Sequence, residues 1–152
     1  MIYEVRTYRL KPRTVPEFIN RFGEAYENGR KQLSPLAAFF YSEIGPLNEV
    51  MHIWAYNDIG ERDAVRAEAA ASGVWPPAVS EMIHEMNSEI FRPFPFMIEF
   101  LSGDHGPLFE YRYYLVNPGT MPGIIKGWED AIGPRSELSP CAMAMHTDVG
   151  GL

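Results

Sequence analysis

The chain has 152 residues, 46% hydrophobic and 22% charged, with a formal net charge of −7. That length supports a packed core in one domain or one and a half, and the acidic balance argues against nucleic-acid binding, since phosphate contacts need clustered Lys and Arg and the longest basic run is Arg30-Lys31. One cysteine, Cys141, rules out an internal disulfide and points to a reducing, cytoplasmic setting; no basic-then-apolar leader and no run of about 18 apolar residues suggests export or a membrane span.

Residues 2–10 alternate and are rich in Tyr, Val, Thr and Ile, which predicts a strand with Ile2, Glu4, Arg6 and Tyr8 on one face and Tyr3, Val5 and Thr7 on the other. Lys11-Pro12-Arg13 breaks it. Thr14 as N-cap, Glu17 completing a capping box and Pro16 in the first turn then predict a helix. Its apolar stripe of Val15, Phe18, Ile19, Phe22 and Tyr26 ends near Gly29.

Ser34-Pro35 opens a strand over residues 36–44, and Gly45-Pro46-Leu47-Asn48 turns it into another over 49–56. A four-residue connection pairs Ile44 with Glu49, Tyr41 with His52 and Phe39 with Trp54. Asp58 and Glu61 cap a second helix through the Ala-rich run 64–71, stopped by Gly73. Pro76-Pro77 opens a further helical piece with Val79, Met82, Ile83 and Met86 on one face. Residues 87–96 read as a strand that Pro93 and Pro95 confine to an edge.

The order is βαββαβ, an α+β pattern of the ferredoxin-like kind, with both helices on one face of an antiparallel sheet across residues 1–97. Residues 98–107, with Gly103, Gly106 and Pro107, are expected to link it to a partial second repeat over 108–152. Glu4-x-Arg6-x-Tyr8 and Pro12-x-Thr14-x-Pro16 return as Glu110-x-Arg112-x-Tyr114 and Pro118-x-Thr120-x-Pro122 at a constant offset of 106. Six identities in fourteen aligned positions compare with about one expected from residue frequencies.

The repeat predicts a strand over 108–116 and a helix over 120–132 with a stripe of Met121, Ile124, Ile125, Trp128 and Ile132. Ser139-Pro140 then matches Ser34-Pro35, and residues 148–152 match 43–47 at the hairpin turn, giving βαβ. In a ferredoxin-like sheet the third strand separates the first two, so this second unit is expected to be completed by residues beyond 152 or by a strand of another subunit.

The pairing above places Glu4, Arg6, Tyr8, Phe39, Tyr41, Glu43, His52, Trp54 and Tyr56 on one sheet face, with Arg112 and His146 at related positions of the second unit. The opposite face, with Val5, Phe40, Met51, Ile53 and Ala55, is apolar enough to lie beneath helices, so the aromatic and charged face is expected to be the open one. Such a face suits a small-molecule pocket. His52 could act as a base with Tyr41 or Glu43 positioning it, and Arg6 could hold an anion. The same residues also suit a structural role, as a cross-strand ion pair at Glu4 and Arg6 and as aromatic packing at Trp54 and Tyr56.

No metal site is expected: the four histidines are scattered, His84 and His105 lie on a surface and in a Gly-rich link, and there is no cysteine cluster. No phosphate-binding loop or nucleophile elbow calls for a cofactor or a covalent mechanism.

The opening Met1-Ile2-Tyr3-Glu4-Val5-Arg6-Thr7-Tyr8 with Leu10-Lys11-Pro12, the stretch Ser42-Glu43-Ile44-Gly45-Pro46-Leu47-Asn48-Glu49-Val50, the strand His52-Ile53-Trp54-Ala55-Tyr56 and the tail Ile90-Phe91-Arg92-Pro93-Phe94-Pro95-Phe96 resemble the NIPSNAP family. The likeness runs across residues 1–96 and partly across 108–152. It implies a dimeric α/β barrel, with two ferredoxin-like sheets facing one another around a cavity and supplied by one chain or by two. Two functions are compatible with the resemblance. One is an interaction or small-molecule-binding module that associates with itself and has no defined activity. The other is a cofactor-independent monooxygenase or isomerase acting on a small organic substrate in the barrel.

Overall fold

A computed structural model describes residues 1–97 and 99–150. Ile98, in the expected linker, and Gly151-Leu152, in the expected second hairpin turn, lie outside the described residues. The described residues divide into two compact units, Met1–Arg92 with residues 147–150, and Pro93–His146.

In the first unit β1 (Ile2–Leu10) leads to α1 (Val15–Glu27), β2 (Leu36–Tyr41), β3 (Glu49–Tyr56), α2 (Ile59–Ala71) and β4 (Ile83–Pro93). The sheet order is β2-β3-β1-β4-β5, where β5 is Met145–Val149. This is the expected ferredoxin-like βαββαβ with β1 at its centre. β1 pairs antiparallel with β3 from Ile2↔Tyr56 to Arg9↔Glu49 and with β4 on its other edge. β5 continues the sheet beyond β4, which is therefore not an edge strand.

Beneath α1, Phe18 and Phe22 are buried, with Val15 and Tyr26 partly so, against Tyr8, Phe39, Trp54 and Trp75. The apolar stripe expected for this helix is the one it buries. The cap differs: Thr14 stands at the N-cap but its hydroxyl donates to the Lys11 carbonyl (2.7 Å), and no side-chain cap bond forms. At α2 the Asp58 carboxylate accepts the Glu61 N–H (2.9 Å), and the Glu61 carboxylate accepts the N–H of Asn57.

The hairpin departs from expectation. Ser42 and Glu49 close the hairpin through Ser42 N–H to the Glu49 carbonyl (2.9 Å) and Glu49 N–H to the Ser42 hydroxyl (3.1 Å). The connection is thus residues 42–48, with Gly45 and Asn48 at positive φ. The pairing becomes Tyr41↔Val50, Phe39↔His52 and Leu36↔Trp54, with a bulge between Leu36 and Ala38. Tyr41 and Phe39 each slip by two residues, which leaves these two on their expected face.

The expected helical piece before residue 86 is only a 3₁₀ turn, Ser80–Met82, after which Ile83 already pairs with Leu10. Val79, Met82, Ile83 and Met86 have helical spacing, but the ladder along β1 satisfies more backbone groups than one further turn. The Lys11 N–H donating to the Met82 carbonyl (2.8 Å) begins that ladder.

The largest correction concerns the sheet's faces. The face carrying Ile2, Glu4, Arg6, Tyr8, Trp54, His52 and Phe39 lies beneath the helices, and Tyr3, Val5 and Ile53 lie on the other. Ranking the faces by polarity misplaced them. Trp, Tyr and Phe rings carry about 150–250 Å² each, and the charged groups among them are neutralised by partners.

In the second unit α3 (Met121–Leu138) runs past Pro134, beyond its expected end at residue 132. Met121, Ile124, Ile125, Trp128 and Ile132 are half-buried, and the Trp128 ring meets Phe94 edge-on at 6.0 Å. The strand expected over 108–116 does not form; these residues are irregular and exposed. In β1 the same motif is held by strands on both edges.

The two Pro-x-Thr-x-Pro stretches form the same turn. Thr14 and Thr120 each donate their hydroxyl to the carbonyl three residues earlier at 2.7 Å, and the preceding residues are Arg13 at φ 71° and Gly119 at φ 81°. A left-handed backbone costs an L side chain about 1–2 kcal/mol and costs glycine almost nothing. Arg13→Gly is therefore expected to stabilise the protein by up to about 1 kcal/mol, part of the gain being lost to the freer unfolded chain. Urea unfolding would measure this, and a lower midpoint for the variant would refute it.

Candidate functional site

Glu4 and Arg6 stand two apart on β1, and extended geometry turns both toward the helices. Glu4 is 0% exposed. Its Oε1 accepts from Arg6 (2.9 Å), from Arg62 on α2 (2.8 Å) and from the Ser88 hydroxyl on β4 (2.9 Å), and the Arg66 guanidinium is 3.6 Å away. Arg6 also donates through Nε to the Tyr8 hydroxyl (2.9 Å). Burial pushes the Glu4 carboxyl upward, but the hydrogen bonds of Arg62 and Arg6 and the charge of Arg66 outweigh it and hold the group at about 2.

His52 pairs with Arg6 across the ladder and is 1% exposed. Its ring is enclosed by Tyr8 and Phe22 at 5.0 Å, Trp54 at 5.9 Å and Phe39 at 6.4 Å between centroids. Nδ1 accepts from the Trp54 indole N–H (2.7 Å), which places the proton of the neutral ring on Nε2. Burial first, and the charge of Arg6 second, lower its pKa to about 3.

Arg30 was not singled out from sequence and is 2% exposed. It lies over the Trp54 ring at 4.2 Å and donates to the Ser34 hydroxyl (2.7 Å) and the Tyr56 hydroxyl (2.8 Å). Arg62 and Arg66 were also missed. Their signal was present in the helical spacing of Arg62, Val65, Arg66 and Ala69, a stripe that puts two cations on the inward face of α2.

The expected residues divide into three places. Glu4, Arg6, Tyr8, Phe39, His52, Trp54 and Tyr56 come together, but beneath the helices and not on an open face. Tyr41 is exposed at the end of β2 and Glu43 is exposed in the hairpin loop, so neither positions His52, whose Nδ1 belongs to Trp54. Arg112 and His146 fall in the second unit. There the Arg112 guanidinium is 2.8 Å from Glu110, and the His146 ring is 6.2 Å from Phe94.

With Nδ1 occupied, its pKa near 3 and its ring sealed by aromatics, His52 is neutral at ordinary pH and has no route to bulk water. The arrangement neutralises a buried carboxylate and joins β1, β4 and α2; it is not arranged for proton transfer to a solvent-borne substrate. Among the described residues no group of three or more His, Cys, Asp or Glu could hold a metal ion, and no helix is long and apolar enough to cross a membrane.

Sheet order and helix placement define an α+β protein of ferredoxin-like topology. The family model described as NIPSNAP matches residues 3–97, and the chain belongs to that family. It is 38% identical over 98 residues to Protein NipSnap of Drosophila melanogaster, an alignment covering 62% of this chain and 36% of that protein. The chain thus spans about a third of the length of the curated relatives it matches.

Among solved structures, a protein of Agrobacterium tumefaciens superposes with a TM-score of 0.60 at 35% identity, covering 63% of this chain and 96% of its own. An uncharacterised NIPSNAP domain protein of Burkholderia xenovorans does so at 0.59 and 30% identity, covering 63% and 97%.

Two pH-dependent outcomes follow. His52 has its folded pKa depressed from 6.5 to about 3, so its contribution to stability is complete above about pH 6.5 and is lost as pH falls toward 3. Its ring nitrogens are expected to show no titration by NMR between pH 8 and 4; a midpoint near 6.5 would contradict the sealed environment.

Glu4, depressed from 4.5 to about 2, contributes fully above about pH 4.5 and loses that contribution as pH falls through 2. Glu4→Gln leaves the arginines uncompensated and is expected to cost about 3–5 kcal/mol at pH 7. The wild-type advantage should shrink below pH 4.5 in urea unfolding at each pH, and an advantage independent of pH would count against the buried charge network.

Proposed function

We propose that this NIPSNAP chain is an interaction module that associates with itself, and that it does not act through acid–base chemistry at His52. The observation that carries this reading is the exposure of large apolar side chains in two stretches. One is the hairpin, with Tyr41, Ile44 (83% exposed) and Leu47; the other is residues 108–116, with Leu108, Tyr113, Tyr114 and Leu115 (82% exposed). Contiguous apolar side chains in water mark association surfaces. Phe39, Trp54 and Tyr56 lie beneath the helices and are no part of such a surface.

A monooxygenase or isomerase reading would need an accessible cavity at His52, and Phe22, Phe39, Tyr8 and Trp54 fill that space. Light scattering coupled to gel filtration is the test. A dimeric or larger mass at micromolar concentration is expected, and a strictly monomeric mass across the accessible concentration range would sink the proposal.

A further inference from the structure

We infer that the solvent side of the Glu4 network is a binding site for a small oxyanion, the carboxylate or phosphate group of a ligand, held by Arg66, Arg62 and the Ser88 hydroxyl. The site belongs to the first unit alone and does not depend on self-association. Glu4 Oε1 lies 2.9 Å from Arg6 Nη1, 2.8 Å from Arg62 Nη2, 2.9 Å from Ser88 Oγ and 3.6 Å from Arg66 Nη1. Donor atoms gathered this closely around one point are within reach of the oxygens of a single further anion.

Donors exceed acceptors here by the geometry of the cluster itself. A carboxylate oxygen offers about two lone-pair directions. Arg6, Arg62 and Ser88 already take more than that, and the Arg66 guanidinium at 3.6 Å stands beyond hydrogen-bond range. Oε2 gives no relief: it is buried and accepts from no described residue, while Arg62 Nε is buried and donates to none.

The charges repeat this imbalance. Arg30 lies over Trp54, which pairs with Glu4 across strands about 4.8 Å apart. Among the described residues, Arg6, Arg30, Arg62 and Arg66 have Glu4 and Asp63 alone as ion-pair partners. The chain as a whole carries 13 basic and 20 acidic residues, so this is a local reversal of sign. A cationic field set in an acidic protein concentrates anions at that point.

Solvent reaches the cluster from one side. The side chains of Arg62 and Arg66 are 21% and 40% exposed and Ser88 on β4 is exposed, while Glu4 behind them is 0% exposed. An anion arriving here meets Arg66 first, whose planar fork takes a carboxylate or phosphate through two N–H donors. The Ser88 hydroxyl rotates from Glu4 to the ligand at little cost, because Arg6 and Arg62 still hold Oε1. Glu4 thus sets the arginines in place and repels the ligand from the interior.

Isothermal titration of the whole chain with inorganic phosphate, and separately with acetate, tests the site at pH 7 with ionic strength held constant by sodium chloride. Saturable binding of one anion per chain is expected. Arg66→Gln should weaken it at least about tenfold, the loss of one charge-assisted hydrogen bond. Ser88→Ala, which keeps every charge, should weaken it severalfold and carries the test if Arg66→Gln fails to fold. Arg9→Gln, at an exposed position on the other face of β1, should leave it unchanged. Saturation by phosphate alone assigns a phosphate-bearing ligand, by acetate alone a carboxylate, and by both an oxyanion of either kind. Saturation by neither overturns the site, as does equal weakening by Arg9→Gln and Arg66→Gln.

Discussion

A single buried carboxylate governs much of this structure. Glu4 sits on the central strand, out of water, and its ionised form is tolerable only because donors from β1, α2 and β4 converge on it. Desolvating a charge costs several kcal/mol in real proteins, and a partner of good geometry is the ordinary remedy. That demand fixes where α2 lies, because Arg62 and Arg66 can reach Glu4 only if the helix turns that stripe inward. It also explains how a face carrying Glu, Arg and His can be the covered one.

The rest of this face follows. Burial first, and then the charges of Arg6, Arg30 and Arg66, keep His52 neutral against the opposing charge of Glu4. Arg30, buried without a carboxylate partner among its hydrogen bonds, is held over Trp54 and by two hydroxyls, so an aromatic face and neutral acceptors take the part of an anion. The residue types that suggest a catalytic pocket, His, Glu, Arg and Tyr on one sheet face, are thereby committed to one another. Their chemistry is spent on joining helix to sheet, which moves interest in function to the exterior.

Much was legible from the order of residues. The capping pattern at Asp58 and Glu61, the stripe on α1 and the alternation in β1 each report a local choice that the chain makes with few long-range contacts, and each is present in the fold. The doubled Glu-x-Arg-x-Tyr and Pro-x-Thr-x-Pro patterns also specified local geometry, since both copies make the same ion pair and the same left-handed turn at Arg13 and Gly119. Where local cues were ambiguous the reading failed. Ile83 and Met86 have helical spacing, yet they lie in a strand because β1 offered backbone partners. Residues 108–116 have a strand's composition, yet form none.

By itself, then, the sequence determined β1, α1 and α2, the ferredoxin-like pattern and the face membership along β1 and β3, because alternation and capping are properties of neighbours along the chain. Only the tertiary structure decided which face of the sheet the helices cover. That choice depends on Arg62 and Arg66 meeting Glu4 across 58 and 62 residues of chain, and on the aromatic area gathered from α1, β1, β2 and β3. No single segment contains either term. The same long-range pairing turned His52 from a plausible base into a sealed, neutral ring.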